Sequence, residues 1–183
     1  MVAVAGMIGA FMLARGDRRG LALIEDTPAG AWRSFAAAFI CLPAFLALRF
    51  LAWAEADVAL ADWERPVVAE ALGFICAWTM FALASLPVAA SWGQAGAWPR
   101  FLAAWNWSNV VQYALLLVAA LLASLGIPGL GTALMAAALA YAVWIEWFVV
   151  RAALGVPPLR AAAIVLLDLA IGLFVGGFVN RVS

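Results

Sequence analysis

Five apolar runs of spanning or near-spanning length follow one another with only short connections, and nothing else limits the possible fold of this chain so strongly. A helix needs about 20 mostly apolar residues to cross a bilayer. The runs occupy about residues 29–53, 66–90, 101–125, 132–150 and 159–179. In hydrocarbon every backbone N–H and C=O must find its partner within the chain, so runs of this length form helices. The expected fold is all-α: a polytopic transmembrane helical bundle of five spans, one integral membrane domain over residues 1–183. Composition agrees, with 69% hydrophobic and 11% charged residues and a mean hydropathy of +1.09, whereas a soluble domain is about half apolar.

The segment 1–26 precedes the first span. Its apolar part, Met1 to Ala14, is short for a crossing and has no positive stretch before it, so it is not read as a signal peptide. Val4, Met7, Ile8, Phe11 and Met12 share one helical face, and Arg15, Asp17, Arg18 and Arg19 follow. That pattern predicts a helix lying in the cytoplasmic membrane interface, with a frayed sixth span as the alternative.

Punctuation residues mark the spans. Thr27 and Pro28 form a helix start, with a capping hydroxyl and a proline at the first helical position. Pro43 is expected to kink span one and Pro87 lies near the end of span two, which Pro66 opens. Thr132 is the expected cap of span four, and Pro157-Pro158 separates spans four and five. The loop from Ala54 to Arg65 is acidic, with Glu55, Asp57, Asp62 and Glu64.

Arginine placement sets an expected orientation. With the amino terminus cytoplasmic, Arg15, Arg18, Arg19, Arg33, Arg100, Arg151 and Arg160 lie inside, against Arg65 and Arg181 outside. The carboxyl terminus is then periplasmic, and the expected location is the inner membrane of a bacterium. The ten acids balance ten arginines, so no polybasic tract points to nucleic acid, and the lipid bilayer is the expected partner.

The chain has no histidine. That excludes His-based metal sites, Ser-His and Cys-His nucleophiles and imidazole proton shuttles. Cys41 and Cys76 lie inside spans without CxxC spacing and read as packing residues. No motif for catalysis, metal or cofactor binding is present, so no catalytic residue, metal or cofactor is expected.

Ionisable groups inside apolar runs are costly and carry the best clue to function. Arg49 and Glu70 each lie about 6 Å below the outer ends of spans one and two, which predicts an ion pair; lipid snorkelling of Arg49 is the alternative. Deeper, Glu146 and Asp168 sit about 8 and 12 Å above their nearest cytoplasmic arginines. Asn106, Asn109 and Gln112, three residues apart on span three, overlap them in depth, and Thr79 of span two is near the same level. Glu146 continues a small-residue stripe through Ala138 and Ala142, and Asp168 one through Gly172 and Gly176. Such stripes face other helices, so both acids are expected to point into the bundle as members of an inner-leaflet polar cluster. Gly172 and Gly176 form a GxxxG pattern, read as helix packing within the chain or between copies.

A short amphipathic amino-terminal segment, a proline-containing first span and five compact spans together resemble bacterial Yip1-like membrane proteins. The resemblance implies topology only; the Asp-Leu-Tyr-Gly-Pro type motif of the eukaryotic members is absent, and their trafficking role and partners are not implied. Ala14-Arg-Gly-Asp-Arg-Arg-Gly-Leu-Ala-Leu and Ala31-Trp-Arg-Ser-Phe also look like segments of small alphaproteobacterial membrane proteins of unknown function.

Two functions are compatible with these features. The first is a non-enzymatic inner-membrane protein acting by association, as a scaffold or accessory subunit, with other membrane proteins or further copies as partners. The alternative is a small transporter or proton-linked carrier using the polar cluster. Water reaching Glu146 and Asp168 would favour the second, and a dry interface the first.

Overall fold

A computed structural model describes residues 2–56 and 63–182. Asp57 and Asp62 of the acidic loop lie outside the described residues. Seven α-helices follow in order: α1 (Val2–Ala14), α2 (Pro28–Ser34), α3 (Ala36–Glu55), α4 (Glu64–Ser91), α5 (Trp98–Ala123), α6 (Leu130–Leu154) and α7 (Pro158–Val182). A short 3-10 helix, Arg18–Leu23, joins α1 to α2. Five units are long and apolar enough to cross a membrane: α2 with α3, then α4, α5, α6 and α7. The expected all-α bundle with an amino-terminal helix is what the chain forms.

The helices close into a ring, α3 to α4 to α7 to α6 to α5 and back to α3. Between helices in lipid the hydrophobic effect gives little, so van der Waals fit and polar ties hold such a ring together. α5 is its most enclosed member, with every residue from Phe101 to Ser108 buried. Its other end stays open, with Val118, Leu121 and Leu122 exposed, so burial on all sides is confined to the half that starts at Phe101. The Phe81 ring stacks on Trp105 at 4.2 Å between centroids.

Local chemistry explains the helix ends. The Thr27 hydroxyl accepts from the Gly30 N–H at 3.0 Å, and Pro28 takes the first helical position, as the sequence predicts. Pro43 lies inside the continuous helix α3, which neither breaks nor ends there. The break in the first span falls at Phe35, where the Ser34 hydroxyl donates to the Ala31 carbonyl at 2.6 Å and the Phe35 N–H turns to Trp32. Serine back-bonding of this kind bends helices. Thr132 does not cap α6; that helix starts one turn earlier, after Gly129, whose φ of +76° a side chain would disfavour.

α1 packs on α5 and touches α6. Gly6, Gly9, Ala10, Leu13 and Ala14 form its buried face, while Val4, Met7, Ile8 and Phe11 stay exposed. The predicted apolar face therefore turns away from the bundle, and a stripe of small residues docks onto it. The dock is tight: a Cβ on Gly6 would come within 2.5 Å of the Trp107 indole nitrogen. A Cβ on Gly20 would collide with the Gly9 carbonyl, and one on Gly9 would lie 2.7 Å from the Gly20 carbonyl. Backbone meets backbone there, so no side chain can swing aside. Gly20→Ala is expected to destabilise this corner by about 1–3 kcal/mol, read as faster proteolysis at residues 15–27; unchanged cleavage would refute the backbone contact.

Candidate functional site

The bundle has an arginine-rich end, where Arg33, Arg100, Arg151 and Arg160 lie, and an opposite end marked by Glu55, Glu64 and Arg181. At the first, Arg33 pairs with Glu25 at 2.6 Å and Arg100 with Asp26 at 2.5 Å. The Arg100 pair ties the segment before α2 to the start of α5. The hydrogen bond from Arg100 holds the Asp26 carboxyl below its usual 3.8. Whatever this exposed pair contributes is present above that value and fades as pH falls through the lower folded one.

Towards the opposite end, Arg49 of α3 and Glu70 of α4 form the predicted ion pair. The Arg49 Nε–H donates to Glu70 Oε1 at 2.6 Å, and a second guanidinium nitrogen closes on the same oxygen. Glu70 is only 6% exposed. Arg49 also reaches Asn180 Oδ1 of α7 at 3.5 Å and lies 5.7 Å from the Trp53 ring centroid, so three helices converge on one guanidinium.

The polar cluster is smaller than the sequence predicts. Glu146 of α6 and Asp168 of α7 meet, with their carboxyl groups in hydrogen-bonding range of each other. The Trp105 indole of α5 lies within reach of Glu146, although its N–H makes no well-aligned hydrogen bond and one Glu146 oxygen is also unpartnered. Asn109 joins them by lining the same cleft as Asp168, while its amide donates to the Trp105 carbonyl at 3.0 Å. Gln112 is buried, with its amide nitrogen unpartnered.

Two of the expected roles need correction, and of the two packing roles open to Gly172 and Gly176 the one within the chain falls away. Asn106 is fully buried, but it ties helices together: Oδ1 accepts from Trp78 Nε1 at 2.5 Å and Nδ2 donates to Ser34 Oγ at 2.7 Å. It links α2, α4 and α5, with both amide atoms engaged away from the carboxyls. Thr79 is exposed, and its hydroxyl donates to the Ile75 carbonyl of its own helix at 2.8 Å. Its Cα has the right depth and the wrong azimuth. Gly172 and Gly176 make no close helix contact within the chain, since a Cβ on either would meet nothing within 4 Å. The close approach of α4 to α7 is made by Gly73, where a Cβ would lie 2.5 Å from Val179.

Those two glycines border open space instead. A cleft of about 310 Å³ lies between α4, α5 and α7, with Asp168 and Asn109 as its polar groups and Phe74, Trp78, Trp105 and Tyr113 as aromatic walls. Leu169 and Leu173, both exposed, form its rim. A second cleft of about 280 Å³ includes Arg49 and Glu70. The two share Phe74, Ala77, Tyr113 and Gly172, so they adjoin along the bundle from the carboxyl pair to the ion pair. Sequence reasoning missed the aromatic walls. Their signal was present in the four-residue spacing of Phe74 with Trp78 and of Trp105, Asn109 and Tyr113.

Chemically, two carboxyl groups in contact repel unless a proton or a cation lies between them. No arginine lines the cleft beside Asp168, so the site can hold a proton, accept a hydrogen bond or take a small cation. Among the described residues no group of three or more His, Cys, Asp or Glu is placed to hold a metal ion. Comparison of the chain with protein-family models, with characterised proteins and with solved structures finds no match.

Proposed function

We propose that the protein is a small, non-enzymatic carrier of the bacterial inner membrane, amino terminus cytoplasmic, that moves a solute in exchange for protons at Glu146 and Asp168. One observation carries this reading: Asp168, in contact with the buried Glu146, borders a cleft large enough for a small solute. A purely structural pair would be expected to sit in close-packed surroundings. In proteoliposomes with a trapped pH-sensitive dye, a panel of small amines, carboxylic acids and sugars should include one that drives proton movement. Asp168→Asn should lower that movement at least tenfold. No coupled movement with any member of the panel, or movement indifferent to Asp168→Asn, would remove the carrier reading.

The association role is the second reading, and a different observation favours it. Gly172, Gly176 and Gly177 leave a small-residue surface on α7 against which, among the described residues, nothing packs closely. Small-xxx-small surfaces let a second transmembrane helix approach closely, from a partner protein or another copy. Gly176→Leu should then weaken a complex recovered in mild detergent, and a chain that purifies only as a lone monomer would count against this role. The Yip1-like topology is compatible with either.

A further inference from the structure

We infer that the cleft between α4, α5 and α7 is a binding site for a small organic ammonium ion, with Asp168 as its counter-charge and the surrounding rings as its cage. This rests on the carrier reading for its use in transport, but the binding site stands on its own geometry.

The walls are unusual for a cleft of this size. Phe74 and Trp78 come from consecutive turns of α4, with ring centroids 4.9 Å apart, and Tyr113 of α5 lies 6.0 Å from Phe74. Trp105 lies 5.3 Å from Trp78. These pairs are tilted at 55–71° to one another, and all four rings line the cleft. An aromatic face carries negative electrostatic potential, and several faces around one space attract a cation whose alkyl groups also fill it. The Trp78 N–H is spent on Asn106, so that ring has no hydrogen-bond donor left for a ligand.

Charge points the same way. Asp168 lines the cleft and contacts Glu146, which is buried among α5, α6 and α7 with one oxygen unpartnered. The cleft has no cation of its own; Arg49, in the adjoining space, is engaged with Glu70. Trp105, 4% exposed and with its indole nitrogen unpartnered, closes the side towards Glu146. An anionic ligand would meet carboxyl groups here and no donor cluster, and a neutral one would leave the acid to be neutralised by a proton instead. An ammonium ion matches both the rings and the acid. The exposed Leu169 and Leu173 rim suits an amphiphilic cation arriving from the bilayer.

The same chemistry is carried by free quaternary amines and by the choline headgroup of a lipid. The full chain in detergent would be titrated with tetraethylammonium and with choline, read by intrinsic tryptophan fluorescence and by calorimetry. Saturable binding is expected, with affinity falling at least tenfold in Asp168→Asn and in Tyr113→Leu. The uncharged isostere 3,3-dimethylbutan-1-ol should bind at least tenfold more weakly than choline. Thermal unfolding of each variant shows that it is folded before its binding is compared, and Asp168→Asn serves if Tyr113→Leu does not fold. In nanodiscs, loss of tetraethylammonium binding when phosphatidylcholine is included supports the headgroup as source, and undiminished binding supports a free amine. Absence of saturable binding, equal affinity for the uncharged isostere, or affinity unchanged in Asp168→Asn would overturn the inference. Binding without coupled proton movement would remove the carrier and leave the site. Proton movement coupled to a sugar or an acid, without ammonium binding, would do the reverse.

Discussion

Arg49→Leu is expected to destabilise the protein by about 3–5 kcal/mol, the cost of leaving a buried partner charge uncompensated. Glu70 is 6% exposed, and its carboxylate receives the guanidinium from α3. A leucine cannot supply that charge, and water has poor access. The double variant Arg49→Leu/Glu70→Leu should recover most of the loss, because replacing a buried pair by apolar side chains is close to neutral. Arg49→Lys should fall between, keeping the charge but losing the Nε–H bond and the reach to Asn180. Thermal and denaturant unfolding in one detergent, followed by tryptophan fluorescence, measures all three. If Arg49→Leu unfolds with the parent protein, Arg49 instead extends to the lipid headgroups in solution.

Asn106→Leu should cost about 1–3 kcal/mol, a moderate figure because polar contacts between membrane helices contribute modestly. The residue is fully buried, accepts from Trp78 and donates to Ser34. Leucine nearly matches its volume, so cavity formation adds little and the loss reports the hydrogen bonds. The donor left without a partner is the buried Trp78 N–H; Ser34 retains its bond to the Ala31 carbonyl. Trp78→Phe strands Asn106 Oδ1 in turn, so the two substitutions combined should cost less than their sum. Strict additivity in that cycle would show that the tie carries no coupling.

Depth was legible in the sequence and azimuth was not. Counting residues from helix ends placed Arg49 level with Glu70, and the pair formed. The same counting put Asn106 and Thr79 near the carboxyl groups, yet one faces α2 and α4 while the other faces outward. A rise of about 1.5 Å per residue fixes height whatever the neighbours are. Rotation about the axis depends on which surfaces interlock, and in an Ala- and Leu-rich helix many rotations bury similar area. The small-residue stripe at Gly172 shows the same limit: it permits close packing, and α7 instead presses Val175 and Val179 onto Gly73. For Glu146 the stripe through Ala138 and Ala142 pointed correctly, and all three are buried; a charge facing lipid costs enough to select one rotation.

Sequence alone therefore determined the apolar spans, their number, their approximate limits and the presence of a short helix at the amino terminus, but not the small-residue face by which that helix docks. These follow from transfer free energies and caps that add residue by residue, without reference to any distant part of the chain. Only the tertiary structure decided that α5 lies enclosed, that Asn106 is a tie, and that four aromatic rings and one carboxyl group share a cleft. Those outcomes require helices separated by tens of residues to settle against one another, and side-chain fit between them appears in no local stretch of sequence.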